Sequence, residues 1–529
     1  MKRSRVVYVA TVAAIIAVGT SGWLVQRAQQ EADVYRKARL FEDVLAHVAD
    51  YYVDSLTPEQ LYDLAIDGML DKLNDPYTNF LTAEAYGDLR LSTTGNYGGV
   101  GLQIVSSGGW ITVISPIADT PAERAGIISG DQIVEVEGAS TEGWTSQRAA
   151  SVLRGEPGSK VSVTIVRSGV RDSLRFGITR AEVHVNSVEG PIMFEPDVGY
   201  VRVTNVAESS ADELVGAVEQ AREQGARRLV LDLRGNPGGV LEQGVALADL
   251  FLDRGEVVVE TRGRAPGSSN TYRAARPQRW PDLAMVVLVN GGTASAAEIL
   301  AGALQDHDRA LVLGSQTFGK GVAYVLIPLS RTEAVTVTTS RWYTPAGRSI
   351  DRPRHALGDS GLGLTAVAGA QRGDTSQSFR SDAGRLLSAG GGIHPDIELD
   401  ADSLTAGERS FAEAIGGNVP AYRDALTRYA LSLRGTGKVA DASFKVTDAM
   451  LADLREEILE RGIEMPDSVW AAGHDLVALQ LGFEITRYLF GRPAELERMT
   501  RSDDQVLRAV ELLRAAGSQQ ELLELASRR

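Results

Sequence analysis

The feature that most constrains the fold of this chain is a regular alternation of short apolar strands and amphipathic helices from residue 198 to residue 350. Apolar runs typical of buried strands stand at 199–203, 228–233, 284–290 and 310–314. Helix-like periodicity fills the intervals, at 209–223, 241–252 and 294–306. Because strands that alternate with helices assemble into parallel sheets, we predict an α/β core, with one further long strand over 332–343.

The segments around this core follow other patterns, and 529 residues are too many for a single domain. Helical spacing dominates residues 31–93, where Thr57 and Pro58 mark a helix start. Residues 94–182 contain short alternating strands and glycine-rich turns, which are typical of a small β-domain. We therefore predict a multidomain α+β protein with a helical segment (31–93), a small β-domain (94–182), the α/β core (183–400, with a flexible insertion at 356–392) and a helical C-terminal extension (401–529).

The first 30 residues are interpreted as a signal peptide or a membrane anchor. Lys2, Arg3 and Arg5 precede an uncharged run over 6–26, which is long enough to span about 30 Å of hydrocarbon. We favour an anchor, since no clear A-x-A cleavage site follows the run. The positive flank predicts a cytoplasmic N-terminus, with the remainder of the chain on the other side of the membrane.

The composition excludes several classes of chemistry. The chain has no cysteine, so it has no disulfide, no thiolate nucleophile and no cysteine-based zinc site. Its six histidines form no HExxH or HxH pair, so we expect neither a metal nor another cofactor. A net charge of −15 without a basic stripe argues against a nucleic-acid partner.

Ser295 is the first candidate catalytic residue. It lies where the apolar strand MVVLV gives way to small residues and then to a helix, which places its Oγ at the strand ends where α/β clefts form. The unpaired N–H groups of the following helix start can stabilise an oxyanion. Taken alone, this segment fits an ordinary N-cap serine better.

Lys320 is the second candidate. It follows the next predicted strand, one helix and one strand after Ser295, so the two residues can meet at one edge of the sheet. A lysine acts as a general base only if its pKa falls from about 10.4 toward neutrality, which desolvation achieves. Phe318, Gly319 and Gly321 supply an apolar wall and allow close backbone approach. A solvated lysine in a glycine turn is the alternative.

The third element is the turn RGNPGG at 234–239, directly after the predicted buried strand at 228–233. Glycine allows a backbone to approach a ligand closely, and Gly238 or Gly239 can present an N–H to an oxyanion. An Asx/Gly turn without a chemical role is the alternative. A dinucleotide site is disfavoured because GxGxxG is absent.

Together and in this order, these motifs resemble the carboxyl-terminal processing proteases (tail-specific proteases), a family of Ser/Lys peptidases with an embedded PDZ domain. The resemblance covers roughly residues 38–400. It rests on GGVGL, SPIADTPAERAGIISGDQIVEVEG, LVLDLRGNPGG, VLVNGGTASAAEILAGALQD, GSQTFGKG, YTPAGRSI and GGIHPD. It implies that residues 94–182 are the PDZ domain and that 183–400 form a serine protease core of the ClpP/crotonase-like type.

The resemblance implies specific roles in the protease core. Ser295 would be the nucleophile and Lys320 the general base, while the backbone N–H groups of Ala296 and Gly238 would form the oxyanion hole. Members of the family usually carry a glutamine four residues after the lysine, where it helps to hold the amine, but this sequence has Tyr324 there. Either the tyrosine hydroxyl forms that hydrogen bond or the role is vacant.

The resemblance also implies how substrates are recognised. The N–H groups of Gly99, Val100, Gly101 and Leu102 would bind the C-terminal carboxylate of a protein or peptide, which adds a strand beside 101–105 and ends in an apolar side chain. A PDZ domain that serves only as a rigid spacer or lid is the alternative. The expected location is the bacterial cell envelope, either anchored in the inner membrane and facing the periplasm or exported in soluble form.

The predicted function is therefore that of a serine endopeptidase which cleaves exported proteins near their C-termini. One alternative is a catalytically weak or inactive protease-like scaffold that binds peptide C-termini through its PDZ domain. Another is a crotonase-like acyl enzyme, since glycine-rich oxyanion turns occur there too. The extension at 401–529 lies beyond the resemblance, and we expect it to form a homodimer, to bind an adaptor or to cover the cleft.

Overall fold

The computed structural model describes residues 35–167, 169–194, 196–352, 378–400 and 404–527. The chain divides into two compact units, Met1–Phe80 and Leu81–Arg529. The apolar N-terminal run over 6–26 lies outside the described residues. Among the residues that are described, no helix combines the length and the apolar character needed to cross a bilayer.

The described part of the first unit is mainly helical, as its sequence pattern predicts. It contains α1 (residues 35–51) and α2 (Pro58–Asp71), with the short strand β1 (Asn79–Leu81) at its boundary. The start of α2 is a capping box: the Thr57 side chain accepts the N–H of Gln60 at 3.2 Å, and Gln60 Oε1 accepts the N–H of Thr57 at 2.8 Å. The predicted helix start at Thr57 and Pro58 is confirmed.

The second unit begins with a helix and a small antiparallel sheet. The elements are α3 (Ala83–Thr94), β2 (Asn96–Gly99), β3 (Leu102–Ser107), β4 (Trp110–Pro116), α4 (Pro121–Arg124), β5 (Gln132–Val136), β6 (Ala139–Ser140), α5 (Ser146–Leu153), β7 (Lys160–Val166), β8 (Leu174–Thr179) and β9 (Ala181–His184). The sheet has the order β3-β4-β5-β7-β8, with β6 on β5, so β3 is an edge strand. Strands β2 and β9 pair with each other and bring the two ends of this small domain together.

A six-stranded sheet forms the centre of the unit. Its strands and the helices that connect them are β10 (Val188–Phe194), β11 (Val198–Val203), α6 (Ser210–Glu223), β12 (Arg228–Asp232), α7 (Leu241–Asp249), β15 (Ala284–Val289), α8 (Ala296–Asp306), β16 (Leu311–Gly314) and β21 (Ile397–Glu398). The order is β10-β11-β12-β15-β16-β21, parallel from β11 onward, with β10 antiparallel to β11. The predicted α/β core is confirmed.

Beside this sheet lies a second group of strands: β13 (Val257–Gly263), β14 (Asn270–Arg273), β17 (Val322–Pro328) and β18 (Ala334–Tyr343). Strand β18 pairs with both β13 and β17, and β13 pairs with β14. Strand β18 corresponds to the predicted strand at 332–343, whereas the other three strands were not predicted from the sequence. Strand β17 directly follows the glycine-rich segment that carries Lys320 and so fixes one end of that segment.

The predicted flexible insertion at 356–392 falls partly on residues 356–377, which lie outside the described residues. Over 378–392 the structure differs from the predicted loop, because β19 (Phe379–Arg380) and β20 (Leu386–Leu387) form a short hairpin. Arg385 anchors the hairpin through ion pairs with Asp308 and Asp396, both at 2.5 Å. These partners are largely buried, so the ion pairs fix the hairpin against the end of α8.

The C-terminal extension is helical, but it is not a separate appendage. Its helices are α9 (Ala406–Ile415), a 3₁₀ turn (Gly416–Asn418), α10 (Val419–Ser432), α11 (Asp448–Leu459), α12 (Asp467–Ala472), α13 (His474–Phe490), α14 (Arg492–Arg501), α15 (Asp504–Ala515) and α16 (Gln519–Ser527). Helices α9 to α13 enclose a core of their own. In contrast, α15 and α16 pack on the face of the central sheet opposite α6, α7 and α8. The end of the chain therefore completes the three layers of the core.

Candidate active site

Ser295 stands at a sharp turn between a buried strand and a buried helix. Strand β15 is buried at every position and α8 is buried over its whole length, while Ser295 itself is partly exposed. Its backbone has φ 55° and ψ −118°, which is strained for a residue with a side chain. A strained serine between strand and helix presents its Oγ at the top of a sheet. The local fold thus displays this hydroxyl at the surface.

The turn before Ser295 is held by side chains. Thr293 Oγ1 accepts the N–H of Asn290 at 3.0 Å and donates to the Leu233 carbonyl at 2.8 Å. The N–H of Ala294 donates to the Asn236 carbonyl at 2.8 Å. These bonds join the segment that carries Ser295 to the RGNPGG turn after β12. The two loops therefore form one rigid assembly.

Glu298 ties Ser295 to the segment of Lys320. Its carboxylate is fully buried and accepts four hydrogen bonds: from the N–H of Ser295 (2.8 Å), Gly319 (2.7 Å) and Lys320 (2.9 Å), and from Thr317 Oγ1 (2.5 Å). A single oxygen, Oε2, accepts both the Ser295 and the Lys320 N–H, so the two backbones lie next to each other. Burial raises the pKa of Glu298, and the four donors oppose that rise.

The Lys320 side chain is partly buried, as its predicted role requires. Burial lowers the pKa of its amine to about 8, against the nearby Glu298 carboxylate, which raises it. The amine nitrogen lies 4.7 Å from the centre of the Tyr324 ring. The tyrosine thus meets the amine with its ring face, a contact different from the hydroxyl hydrogen bond considered from the sequence. Trp342 Nε1 donates to the Lys320 carbonyl at 3.1 Å and holds the backbone.

Gly238 packs directly against Ser295. A Cβ placed on Gly238 would lie 2.8 Å from Ser295 Cβ and 2.5 Å from the Ala294 carbonyl oxygen, and its φ is +87°, so only glycine fits. However, the N–H of Gly238 already donates to Asn236 Oδ1 at 2.8 Å. Among the described residues, the N–H groups of Ala296 and the exposed Gly239 have no acceptor. The structure therefore leaves one unused donor directly after Ser295, at Ala296, and one at the end of the RGNPGG turn, at Gly239.

The four residues predicted to bind a peptide carboxylate are in a turn that leads into the edge strand β3. Gly99 ends β2 and pairs with Ala181, and Leu102 begins β3. Between them, the N–H groups of Val100 and Gly101 have no acceptor among the described residues. At the far end of β3, the N–H of Ser106 donates to Ser146 Oγ at the start of α5. Strand β3 is thus joined to α5 at one end and preceded by unused N–H groups at the other.

A group with metal-ligating chemistry lies away from these sites. Within the described residues, Glu256, His307 and Asp382 form the only cluster of histidine and carboxylates close enough to share an ion. His307 Nδ1 lies 2.7 Å from Asp382 Oδ2 and its Nε2 lies 2.8 Å from the Val257 carbonyl oxygen. Both ring nitrogens are thus engaged with protein groups at the end of α8.

Two residues that hold the predicted site residues in place, Glu298 and Asn236, were not predicted from the sequence. The spacing Ser295-Ala-Ala-Glu298 is a recognisable S-x-x-E capping pattern and was available from the sequence. Asn236 lies inside the RGNPGG turn and bonds both its neighbour Gly238 and the Val203 carbonyl. No local pattern distinguishes such an asparagine from one in an ordinary turn.

Three protein-family models match the chain. The model for peptidase family S41 matches residues 197–355, a PDZ domain model matches 112–167, and a model for the activating protease CtpB N-terminal domain matches 17–85. The S41 match contains Ser295, Lys320 and the RGNPGG turn. The PDZ match covers most of the small sheet from β4 to β7.

Curated relatives and solved structures resemble the chain over most of its length. A carboxy-terminal-processing protease of Bartonella bacilliformis is 38% identical over 339 residues, which are 63% of this chain and 75% of that protein. The carboxy-terminal processing protease CtpA of Bacillus subtilis is 34% identical over 304 residues, 58% of this chain and 64% of that protein. The structure of the photosystem II D1 C-terminal processing protease is 30% identical, with a TM-score of 0.36 over 69% of this chain and 94% of that one.

Proposed function

This chain belongs to the carboxy-terminal-processing proteases, the S41 peptidases that its sequence matches, and we propose that it cleaves peptide bonds with Ser295 as nucleophile and Lys320 as general base. The observation that carries this proposal is the carboxylate of Glu298. One of its oxygens accepts the backbone N–H of both Ser295 and Lys320. Because the two backbones meet at one oxygen atom, this contact supports a short distance between the Ser295 hydroxyl and the Lys320 amine.

The reaction begins with neutral Lys320. The amine takes the Ser295 proton as Oγ attacks the scissile carbonyl carbon, and the resulting ammonium gives a proton to the leaving amine as the peptide bond breaks. Water then attacks the acyl-enzyme ester, with Lys320 again accepting a proton, and Ser295 is restored. A pKa of about 8 suits this role, because a substantial fraction of the amine is neutral near physiological pH.

The negative charge on the tetrahedral oxygen needs two backbone donors. We assign the first to the N–H of Ala296 at the start of α8, which has no acceptor among the described residues. The second comes from the Gly238–Gly239 pair. Since the Gly238 N–H is engaged with Asn236, Gly239 is the donor that this conformation favours. Each such donor contributes about 2.7–4 kcal/mol of transition-state stabilisation.

The PDZ domain supplies substrate recognition in this proposal. The C-terminal carboxylate of a substrate binds the N–H groups of Val100 and Gly101, and its last residues extend along the free edge of β3. An apolar final side chain then faces the partly buried side chains of Leu102 and Ile104. The preferred substrates are unfolded proteins or peptides with an apolar C-terminus, cleaved near that end.

The N-terminal run over 6–26 would place the enzyme in the cell envelope. In this proposal it anchors the protein in the inner membrane, with the protease facing the periplasm, or directs its export. Fractionation of cells that express the full chain or a chain without residues 1–30 tests this assignment. If the run is an anchor, the full chain should sediment with membranes and resist a carbonate wash; if it only directs export, the full chain should be in the soluble periplasmic fraction. In both cases the shortened chain should remain in the cytoplasmic fraction.

Cleavage assays on variants test the catalytic proposal. The substrate is an unfolded protein that ends in Leu-Ala-Ala or, as a control, in Asp-Asp-Asp. Wild type should cleave the apolar-ended protein, while Ser295→Ala and Lys320→Ala should lose at least about 10³-fold in kcat. Lys438→Ala, which removes an exposed lysine in the loop between α10 and α11, serves as the matched control and should behave like wild type.

The outcomes separate the alternatives. If wild type binds the apolar-ended peptide but cleaves nothing, the chain is a peptide-binding scaffold. If cleavage survives Ser295→Ala, the nucleophile is another residue. If acyl-CoA compounds bind and Lys320→Ala has no effect, a crotonase-like acyl enzyme is favoured. The pH dependence gives a further check: kcat/KM should rise with pH and level off above an apparent pKa of about 8, because only the neutral amine accepts a proton.

A further inference from the structure

Arg234 connects the RGNPGG turn to the far end of the chain. Its Nη1 donates to Asp503 Oδ1 at 3.0 Å and to Gln505 Oε1 at 2.7 Å, both at the start of α15. Its Nε and Nη2 donate to the carboxylate of Asp232, at 3.0 and 2.6 Å. The guanidinium thus joins the end of strand β12 to a helix that comes about 270 residues later.

Most of these groups are withdrawn from water, and the Asp503 side chain, at 30%, is the most exposed of them. The Arg234 side chain is 16% exposed, Asp232 is 1% exposed and Gln505 is 4% exposed. Tyr200 adds a further hydrogen bond from its hydroxyl to Asp232 Oδ2 at 2.8 Å. In such a site, charge-assisted bonds to a planar guanidinium are short and strongly directional. The network therefore fixes the position of Arg234 in three dimensions.

Residues 235–238 link Arg234 to Ser295 through hydrogen bonds and one close packing contact. The N–H of Gly235 donates to Asn290 Oδ1 at 2.9 Å, and Asn236 bonds both Gly238 and Ala294. Gly238 is in contact with Ser295, with so little space that a Cβ would not fit. A change in the position of Arg234 would thus move the segment that carries the proposed oxyanion donor.

We propose that Asp503 and Gln505 are positioning residues for the turn at 234–239, so that the C-terminal helices complete the active site. Neither residue touches the substrate in this arrangement. Both lie well outside the S41 match, which ends at residue 355. The inference rests on the proposed function, because it assumes that this turn stabilises the tetrahedral intermediate.

The variant Asp503→Asn isolates the charge on this residue. Asp503 is also the N-cap of α15, since its Oδ1 accepts the N–H of Val506 at 3.0 Å. Asparagine caps helices as well as aspartate does, so the helix start is kept while the ion pair with Arg234 is lost. The matched control is Asp504→Asn, which removes the same charge one residue later on an exposed side chain. Gln505→Leu provides a second variant without a change of charge.

Each variant is assayed in the full chain for kcat, KM and inhibition by a peptide aldehyde, whose adduct with a serine carries a tetrahedral oxygen. Circular dichroism gives the folded fraction at the assay temperature. We expect Asp503→Asn and Gln505→Leu to lower kcat by about tenfold or more, since a displacement on the order of 1 Å costs about 10²-fold. KM should stay within about twofold, while the Ki of the aldehyde should rise by the same factor as kcat falls.

The results separate a failure of this inference from a failure of the proposed function. Asp504→Asn should match wild type in all three constants. The inference is overturned if Asp503→Asn and Gln505→Leu behave like Asp504→Asn, if KM changes as much as kcat, or if the loss only follows a smaller folded fraction. If wild type itself shows no cleavage that depends on Ser295, the proposed function has failed, and this is seen in the Ser295→Ala control before any variant is compared.

Discussion

Two glycine-rich turns of this molecule present backbone N–H groups, but they are built in different ways. The turn at 234–239 is held by side chains: Arg234 and Asn236 within it, and Asn290 from the neighbouring loop, all form hydrogen bonds that fix its path. The turn at 97–102 in the PDZ domain is held mainly by backbone contacts. There the N–H groups of Ala122 and Ile117 donate to the carbonyls of Val100 and Gly101.

The difference follows from what each turn is proposed to bind. Stabilising a transition state requires donors fixed to within a fraction of an ångström before the charge develops. A flexible peptide end adapts to its binding site, so a backbone nest of moderate rigidity is sufficient. The core turn should therefore be more sensitive to substitution than the PDZ turn, and its defects should affect kcat more than KM.

The largest effect is expected for Gly238→Ala. The new methyl group would meet the Ala294 carbonyl and Ser295 Cβ at 2.5 and 2.8 Å, at a φ of +87° that disfavours alanine. We expect kcat to fall by at least about 10³-fold, because one donor is displaced and the serine is shifted. Steady-state kinetics on the apolar-ended substrate measures it. Gly225→Ala is the control, since Gly225 has a similarly strained φ of +100° but a Cβ there would meet no other atom. Equal losses of kcat in the two variants would show that the contacts of Gly238 with Ser295 do not cause the effect.

Glu298→Gln should have the second-largest effect. The amide keeps the shape of the carboxylate, but its NH₂ group would face N–H donors that now have a charged acceptor. An unsatisfied buried donor costs about 1–3 kcal/mol, so we expect a lower thermal midpoint together with a fall in kcat of about 10²-fold. Glu242→Gln, an exposed first-turn glutamate of α7, is the control. A kcat within threefold of wild type would show that the carboxylate does not set the geometry of Ser295 and Lys320.

The sequence predicted the parts of the fold that depend on local periodicity. In strand β15, Val286 and Leu288 face one side of the sheet while Val287 and Val289 face the other. Both faces are apolar, and such an unbroken run is typical of a parallel strand covered on two sides. The order of the crossovers follows from the alternation of these strands with helices. The position of Ser295 between a strand and a helix was likewise predicted, whereas its strained backbone conformation was not.

What the sequence did not predict depends on contacts between distant segments. The four donors to Glu298 come from two loops separated by α8 and β16. The amphipathic pattern of α15 indicates a buried face but not the sheet that it covers. Strand β17 was missed because exposed apolar residues such as Val325 and Ile327 weaken its pattern. In each case the structure depends on a contact with a distant segment, and the local sequence does not indicate which segment that is.

The PDZ turn should respond more weakly and in a different constant. In Gly101→Ala, the methyl group would lie 2.3 Å from Thr120 Cβ at a φ of +82°, which displaces the N–H groups of the turn. We expect the Kd of a labelled apolar-ended peptide, measured by fluorescence polarisation, to rise by about tenfold. The kcat on a short internal peptide should not change. Gly109→Ala is the control, since Gly109 has a φ of +80° and a Cβ there would meet no other atom. A loss of kcat in Gly101→Ala would contradict the proposal that the PDZ turn affects binding and the core turn affects catalysis.

The smallest effect is expected at Tyr324, which meets the Lys320 amine with the face of its ring. The Lys320 amine faces the Tyr324 ring at 4.7 Å, and Tyr324→Phe keeps that ring, so kcat should stay within about threefold of wild type. Tyr324→Ala admits water. Since burial is the main cause that holds the pKa of Lys320 near 8, the apparent pKa in kcat/KM should move toward 10.5 and activity at pH 7.5 should fall. A tenfold loss in Tyr324→Phe would instead assign the hydroxyl to holding the amine, and Lys320 would then be positioned by a hydrogen bond, as the turn at 234–239 is.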